Sequence, residues 1–169
     1  MDIEQALRSA IEYETRVREV YVEALDETGH EVGQRIFQLL ADEEGKHVKY
    51  LKGKLAAWQS KGKLSASDLK TAVPDAELIE REVGKLEAAL SEEDHGIEIV
   101  MLKKAKAVEI ETSGFYKRMV AELPQQGADF FARFVAIEEG HLALVEAEIT
   151  ALEKMGFWFD MPEFRLEAG

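Results

Sequence analysis

Four glutamates and two histidines stand where a bundled helix ordinarily carries apolar side chains. Inward positions on such a helix recur at alternating steps of three and four residues. On that spacing one stripe reads Ile3, Leu7, Ala10, Glu14, Val17, Tyr21, Ala24, and a second reads Phe37, Leu40, Glu44, His47, Leu51, then Leu55 and Trp58. A third reads Leu102, Ala105, Glu109, Thr112, Tyr116, Met119, Leu123, and a fourth Phe131, Phe134, Glu138, His141, Val145, then Ile149 and Leu152. Each stripe is apolar until a glutamate interrupts it near the middle, and two add a histidine one turn later. Burying an unpaired carboxylate is costly even after relaxation, and four together repel one another. No lysine or arginine occupies the stripes. Two divalent cations are the simplest compensation, held by Glu14, Glu44, His47, Glu109, Glu138 and His141.

The Glu-x-x-His spacing alone does not select these residues, because Glu27 precedes His30 and Glu92 precedes His95 at the same interval. Context separates the pairs. Glu27 and His30 straddle a turn containing Gly29, and Glu92 and His95 lie in a polar run at a helix start, where acids suit the helix dipole. His30 and His95 are expected at the surface. So are Glu12, Glu43, Glu111 and Glu139, which neighbour the six in sequence but point elsewhere on the helix.

Four long amphipathic helices must position the six side chains, at about 2–28, 31–60, 95–122 and 127–155. The breaks at Thr28-Gly29-His30 and Pro124-Gln125-Gln126-Gly127 are short turns, so each pair of helices is an antiparallel hairpin. Glu14 lies fifteen residues before Gly29 and Glu44 fifteen after it. At about 1.5 Å per residue both sit roughly 22 Å from that turn. Around Gln125, Glu109 is sixteen residues before, and Glu138 and His141 are thirteen and sixteen after. The hairpins also read as copies. Ala10, Glu14 and Tyr21 precede Ala105, Glu109 and Tyr116 by 95 residues, and Glu44 and His47 precede Glu138 and His141 by 94. A duplicated helix pair with a pseudo-two-fold axis is the implied architecture. The connection 61–94, with a short helix from Pro74 to about Leu90, suits a crossover along the side of a bundle. The aromatic tail 156–169, with Phe157, Trp158, Phe159, Pro162 and Phe164, is expected to cap one end or to form a dimer contact.

Composition narrows the chemistry. The chain fits one domain, 1–169, and its 46% hydrophobic and 33% charged content is that of a folded globular protein. It has no cysteine, which removes disulfides, thiolate zinc sites and iron–sulfur clusters. Its formal charge of −13 argues against nucleic acid and anionic lipid as partners. No run of eighteen apolar residues suggests a membrane span, and MDIEQALRSA lacks the pattern of a secretory leader, so a cytoplasmic location is expected.

Taken together, Ala10-x3-Glu14-x6-Tyr21, Glu44-x2-His47, Ala105-x3-Glu109-x6-Tyr116 and Glu138-x2-His141 resemble the ferritin-like di-iron carboxylate proteins, and most of all their rubrerythrin-type branch. The resemblance implies an all-α, ferritin-like four-helix bundle with two iron ions, manganese or zinc being alternatives. It implies that Glu44 and Glu138 bridge the metals, that Glu14 and Glu109 are terminal ligands, and that each histidine binds one ion. Tyr21 and Tyr116 resemble the family's tyrosines that hydrogen-bond to ligating carboxylates. The chain departs from typical rubrerythrins at Thr112, where they add a carboxylate, and in lacking a four-cysteine iron domain. Electrons would then come from an external donor protein. The expected activity is an oxidoreductase reacting with hydrogen peroxide or dioxygen, in a homodimer. Ferrous oxidation with storage or delivery, and a metal-stabilised interaction module, are the alternatives.

Overall fold

In a computed structural model of the protein, residues 1–65, 69–85 and 95–159 are described. Its helices are α1 (Ile3–Glu27), α2 (Glu31–Lys61), α3 (Ala76–Val83), α4 (Gly96–Glu122) and α5 (Gln125–Met155). None is long and apolar enough to cross a membrane.

Local chemistry sets the ends. Asp2 caps α1 in a reciprocal capping box with Gln5, so two of the free N–H groups at the helix start find acceptors. His30 opens α2 by accepting from the Val32 amide, and Asp75 opens α3 by accepting from the Leu78 amide. Gly62 and Gly156 stop α2 and α5 at φ 61° and 72°, a left-handed geometry that costs glycine nothing. Helix α5 begins at Gln125, two residues earlier than its apolar stripe suggests. The carbonyl of Pro124 accepts from Gly127 and Ala128, so proline belongs to the helix start and not to a longer loop. The crossover helix begins at Ala76 rather than at Pro74, because Asp75 is its cap. The remainder of its expected span, 86–90, falls outside the described residues.

α1 packs along α2 and α4 along α5, giving two antiparallel hairpins, and α1 lies against α4 to join them. α3 lies against α5. The apolar interior comes in two parts. One gathers Val17, Tyr21, Ala24, Phe37, Leu40, Leu102, Leu144 and Leu152. The other gathers Leu7, Ala10, Leu51, Tyr116, Met119, Phe130, Phe131 and Phe134. Between them, on all four long helices, lies a polar layer.

Trp158 and Phe159 are buried in the first part, and Trp158 meets Phe37 edge to face with ring centroids 5.8 Å apart. Gly33 leaves room for that indole, since a Cβ there would come within 2.5 Å of it. Pro162 and Phe164 lie outside the described residues. Removing a buried aromatic of this size costs about 3–5 kcal/mol. Trp158→Ala is therefore expected to lower the unfolding free energy by about 3 kcal/mol in denaturant titrations; a loss under about 1 kcal/mol would mean that the indole is dispensable to the core.

Candidate metal centre

Glu14 from α1, Glu44 and His47 from α2, Glu109 from α4, and Glu138 and His141 from α5 form the polar layer. All six side chains are 0% exposed. The three-residue step from glutamate to histidine puts both groups on one face of the helix, one turn apart. The hairpins bring the four helices level, as equal spacing from the turns requires.

The two histidine rings are parallel, with centroids 5.5 Å apart. His47 Nδ1 lies 3.2 Å from Glu14 Oε2, 3.3 Å from Glu44 Oε2 and 3.6 Å from Glu138 Oε1. His141 Nδ1 lies 2.7 Å from Glu44 Oε1, and 3.9 Å from both Glu109 Oε1 and Glu138 Oε2. Glu44 and Glu138 thus each turn one oxygen toward each histidine. Glu14 approaches only His47, and Glu109 only His141. Donor atoms of Glu14, Glu44, His47 and Glu138 all fall within 4.8 Å of one another, as do those of Glu44, Glu109, Glu138 and His141. A buried carboxylate–histidine cluster of this kind could hold a metal ion.

The tyrosines cross between the halves of the core. Tyr21, on the first side of the layer, donates its hydroxyl to Glu109 Oε1, and Tyr116, on the other side, donates to Glu14 Oε1. Each bond links the α1–α2 hairpin to the α4–α5 hairpin. Burial, reinforced by Glu109 at Tyr21 and by Glu14 at Tyr116, holds both phenols well above their ordinary pKa, so both remain donors.

Without cations these carboxylates are poorly satisfied. Among the described residues, neither oxygen of Glu44 or Glu138 has a partner in hydrogen-bonding geometry, nor does Glu109 Oε2 or the Nε2 atom of either histidine. No lysine or arginine among the described residues pairs with any of the four. Burial, then the charge of a neighbouring carboxylate (Glu44 at Glu14, Glu14 at Glu138), pushes both well above the usual carboxylate range. Burial, then the charge of Glu44, pushes Glu109 up to about 7. Burial also acts on Glu44, but Glu14 and the two histidines outweigh it and hold that carboxyl well below the usual range. Burial works against charge on the histidines too. The surrounding carboxylates, Glu14 and Glu44 at His47 and Glu44 at His141, overcome it and raise both. Orphaned oxygens, protons retained on acids, and an oxygen-and-nitrogen donor set all fit a bound metal ion.

Three expectations are corrected. Glu43 is not solvated: it is 1% exposed, and its Oε2 accepts from Thr71 Oγ1 at 2.7 Å and from the Ala72 amide at 3.1 Å. His95 is buried, with Nε2 2.9 Å from the Gly156 carbonyl oxygen, and His30 is half-buried as the cap of α2. Glu98 and Glu148 are buried as well, Glu98 accepting from Thr28 Oγ1 and Glu148 from the Phe159 amide. A signal for two of these lay in the duplication. Glu43 corresponds to Ile137 and Glu98 to Ile3, so each occupies a place that is apolar in the other copy. Glu12, Glu111 and Glu139 are exposed, as their phases require.

No protein-family model, curated protein or solved structure matches the chain.

The retained protons have a consequence for stability. An acid raised on folding binds more protons native than unfolded, so its contribution falls as pH rises toward the folded value. A raised histidine acts in the same direction above its ordinary pKa. The depressed Glu44 acts oppositely, but only below the ordinary carboxylate range. The metal-free protein should therefore lose thermal stability between about pH 5 and pH 8. A melting temperature that rises across that window would show that the carboxylates ionise in place without penalty.

Proposed function

We propose that the chain is a ferritin-like dinuclear metal protein of the rubrerythrin type, holding two iron ions and reacting with hydrogen peroxide or dioxygen. One observation carries this reading: Glu44 and Glu138 each present one oxygen to each half of a cluster whose other members divide cleanly between the halves. Such an arrangement suits two ions sharing two carboxylates, with Glu14 and His47 completing one coordination set and Glu109 and His141 the other. A single ion would leave half of the donors unused.

Bound iron would supply the redox chemistry, delivering two electrons to a small oxidant. The protein's part is to hold the donors and to control protons and water. Complete burial keeps bulk water from the carboxylates. Tyr116 and Tyr21 fix the terminal carboxylates Glu14 and Glu109 through the hydroxyl donated to each, leaving the second oxygen of each for an ion. Because the protons on Glu14, Glu109 and Glu138 must leave when ions bind, loading releases protons and tightens as pH rises. The acidic surface, from a formal charge of −13, favours cation approach. Electrons returning the centre to its reduced state would come from an external donor protein.

Metal content of protein expressed with iron tests this directly. About two iron ions per chain are expected by elemental analysis, and about none in the Glu44→Ala/Glu138→Ala double variant, which loses both shared ligands. A folded wild-type protein with no bound metal would refute the centre. Anaerobically reduced, loaded protein should then consume hydrogen peroxide or dioxygen as its iron spectrum changes. Indifference to both oxidants would leave a structural metal clamp as the function.

A further inference from the structure

The six donors have no exposed surface, so an ion reaches them only when some part of the chain moves aside. Three sides of the bundle are helix against helix: α1 on α2, α4 on α5, and α1 on α4. Opening any of these separates long packed stripes. α2 and α5, which carry both histidines, do not pack closely along each other. The non-helical segment Leu69–Pro74 bridges their outer edges. Leu69 is buried in one half of the apolar core and Val73 in the other, so the segment crosses the level of the polar layer.

Few bonds hold this strap. It makes no backbone–backbone hydrogen bond with the described residues. On the α2 side Glu43 Oε2 accepts from Thr71 Oγ1 and from the Ala72 amide. On the α5 side Arg133 Nε donates to the Leu69 carbonyl at 3.3 Å, and Gly140 lets the Pro74 carbonyl come close, since a Cβ there would stand 2.9 Å from that oxygen. Glu43 also faces inward: one of its oxygens lies within 4.8 Å of a ring nitrogen of His47 and of His141. In the duplicated hairpin this position is Ile137, so the carboxylate occurs only on the side the strap covers. Segments secured by a few side-chain contacts open at the lowest cost in a folded protein.

We propose that Leu69–Pro74 is a gate on the histidine side of the centre and that Glu43 is its latch, divalent metal ions passing between the strap and the His47–His141 pair. This rests on the dinuclear reading above, and the test separates the two. Cobalt(II) is mixed with metal-free protein in a stopped-flow instrument, and its d–d absorption reports both the amount bound and the rate. Thr71→Val removes one of the strap's two donors to Glu43, leaving the Ala72 amide and, from α2 itself, Lys46 Nζ on Oε1. Gly140→Ala independently wedges a methyl group against Pro74. Neither substitution removes a proposed ligand. Wild type and both variants should bind two cobalt ions with the same spectrum and affinity, while each variant loads and releases the metal about tenfold faster, the change that loss of one hydrogen bond produces. Unchanged rates with two ions bound would overturn the gate and leave the centre standing. A folded wild-type protein that takes up no cobalt would overturn the centre, and the gate with it.

Discussion

Four carboxylates buried at one level of a helical core, with no lysine or arginine among the described residues paired to them, form the constraint around which this molecule is arranged. Charge in such a place must be paired or protonated, and the metal-free chain does some of each. Its histidines are drawn toward the charged form, Glu109 and its neighbours hold protons, and Glu44 stays ionised among them. The layer divides the apolar core in two, so neither half can be extended through it. The hairpins meet across it through two tyrosine–glutamate bonds related by the pseudo-two-fold axis. Stability and the capacity to hold ions are thus opposed in the same six side chains, as is common where a site is preorganised at the expense of the fold.

Most of the architecture was legible in the residue pattern, because a buried helix face repeats and a polar intruder stands out against it. The stripes through Glu14, Glu44, Glu109 and Glu138 are buried over almost their whole length. Leu55 and Trp58, where the second stripe drifts, are only half-buried. The level placement of the six donors followed from counting residues to each turn. Burial imposed by the crossover was harder to read. Glu43 looks solvated on a single helix, and only the strap laid over it, with an amide and a hydroxyl in need of an acceptor, brings it inside. The end of the bundle misled for a similar reason. His95 and Glu98 are polar by type, yet the turn after α1 and the residues after α5 close over them and supply their partners. Contacts between segments remote in sequence leave no periodic trace.

The duplication was more informative than either copy alone. Where the copies agree, as at Glu14 and Glu109 or at Tyr21 and Tyr116, they mark the shared chemistry of the layer. Where they differ, they mark what each hairpin does separately. The second hairpin carries the aromatic packing of Phe130, Phe131 and Phe134, and its counterparts in the first are Ile36, Phe37 and Leu40. The exchange of Ile137 for Glu43 belongs to the same class, and it coincides with the side on which the crossover runs.

The division of the core also gives the molecule two built-in optical reporters. Its two tryptophans are distributed one to each half, Trp158 buried in one apolar part and Trp58 packed against the other. Indole emission shifts with the polarity around the ring, so the fluorescence of each would follow its own end of the bundle. A chain retaining either one alone would show whether the two ends come apart together or in succession, and hence whether the polar layer joins them into a single cooperative unit or serves as a seam between two.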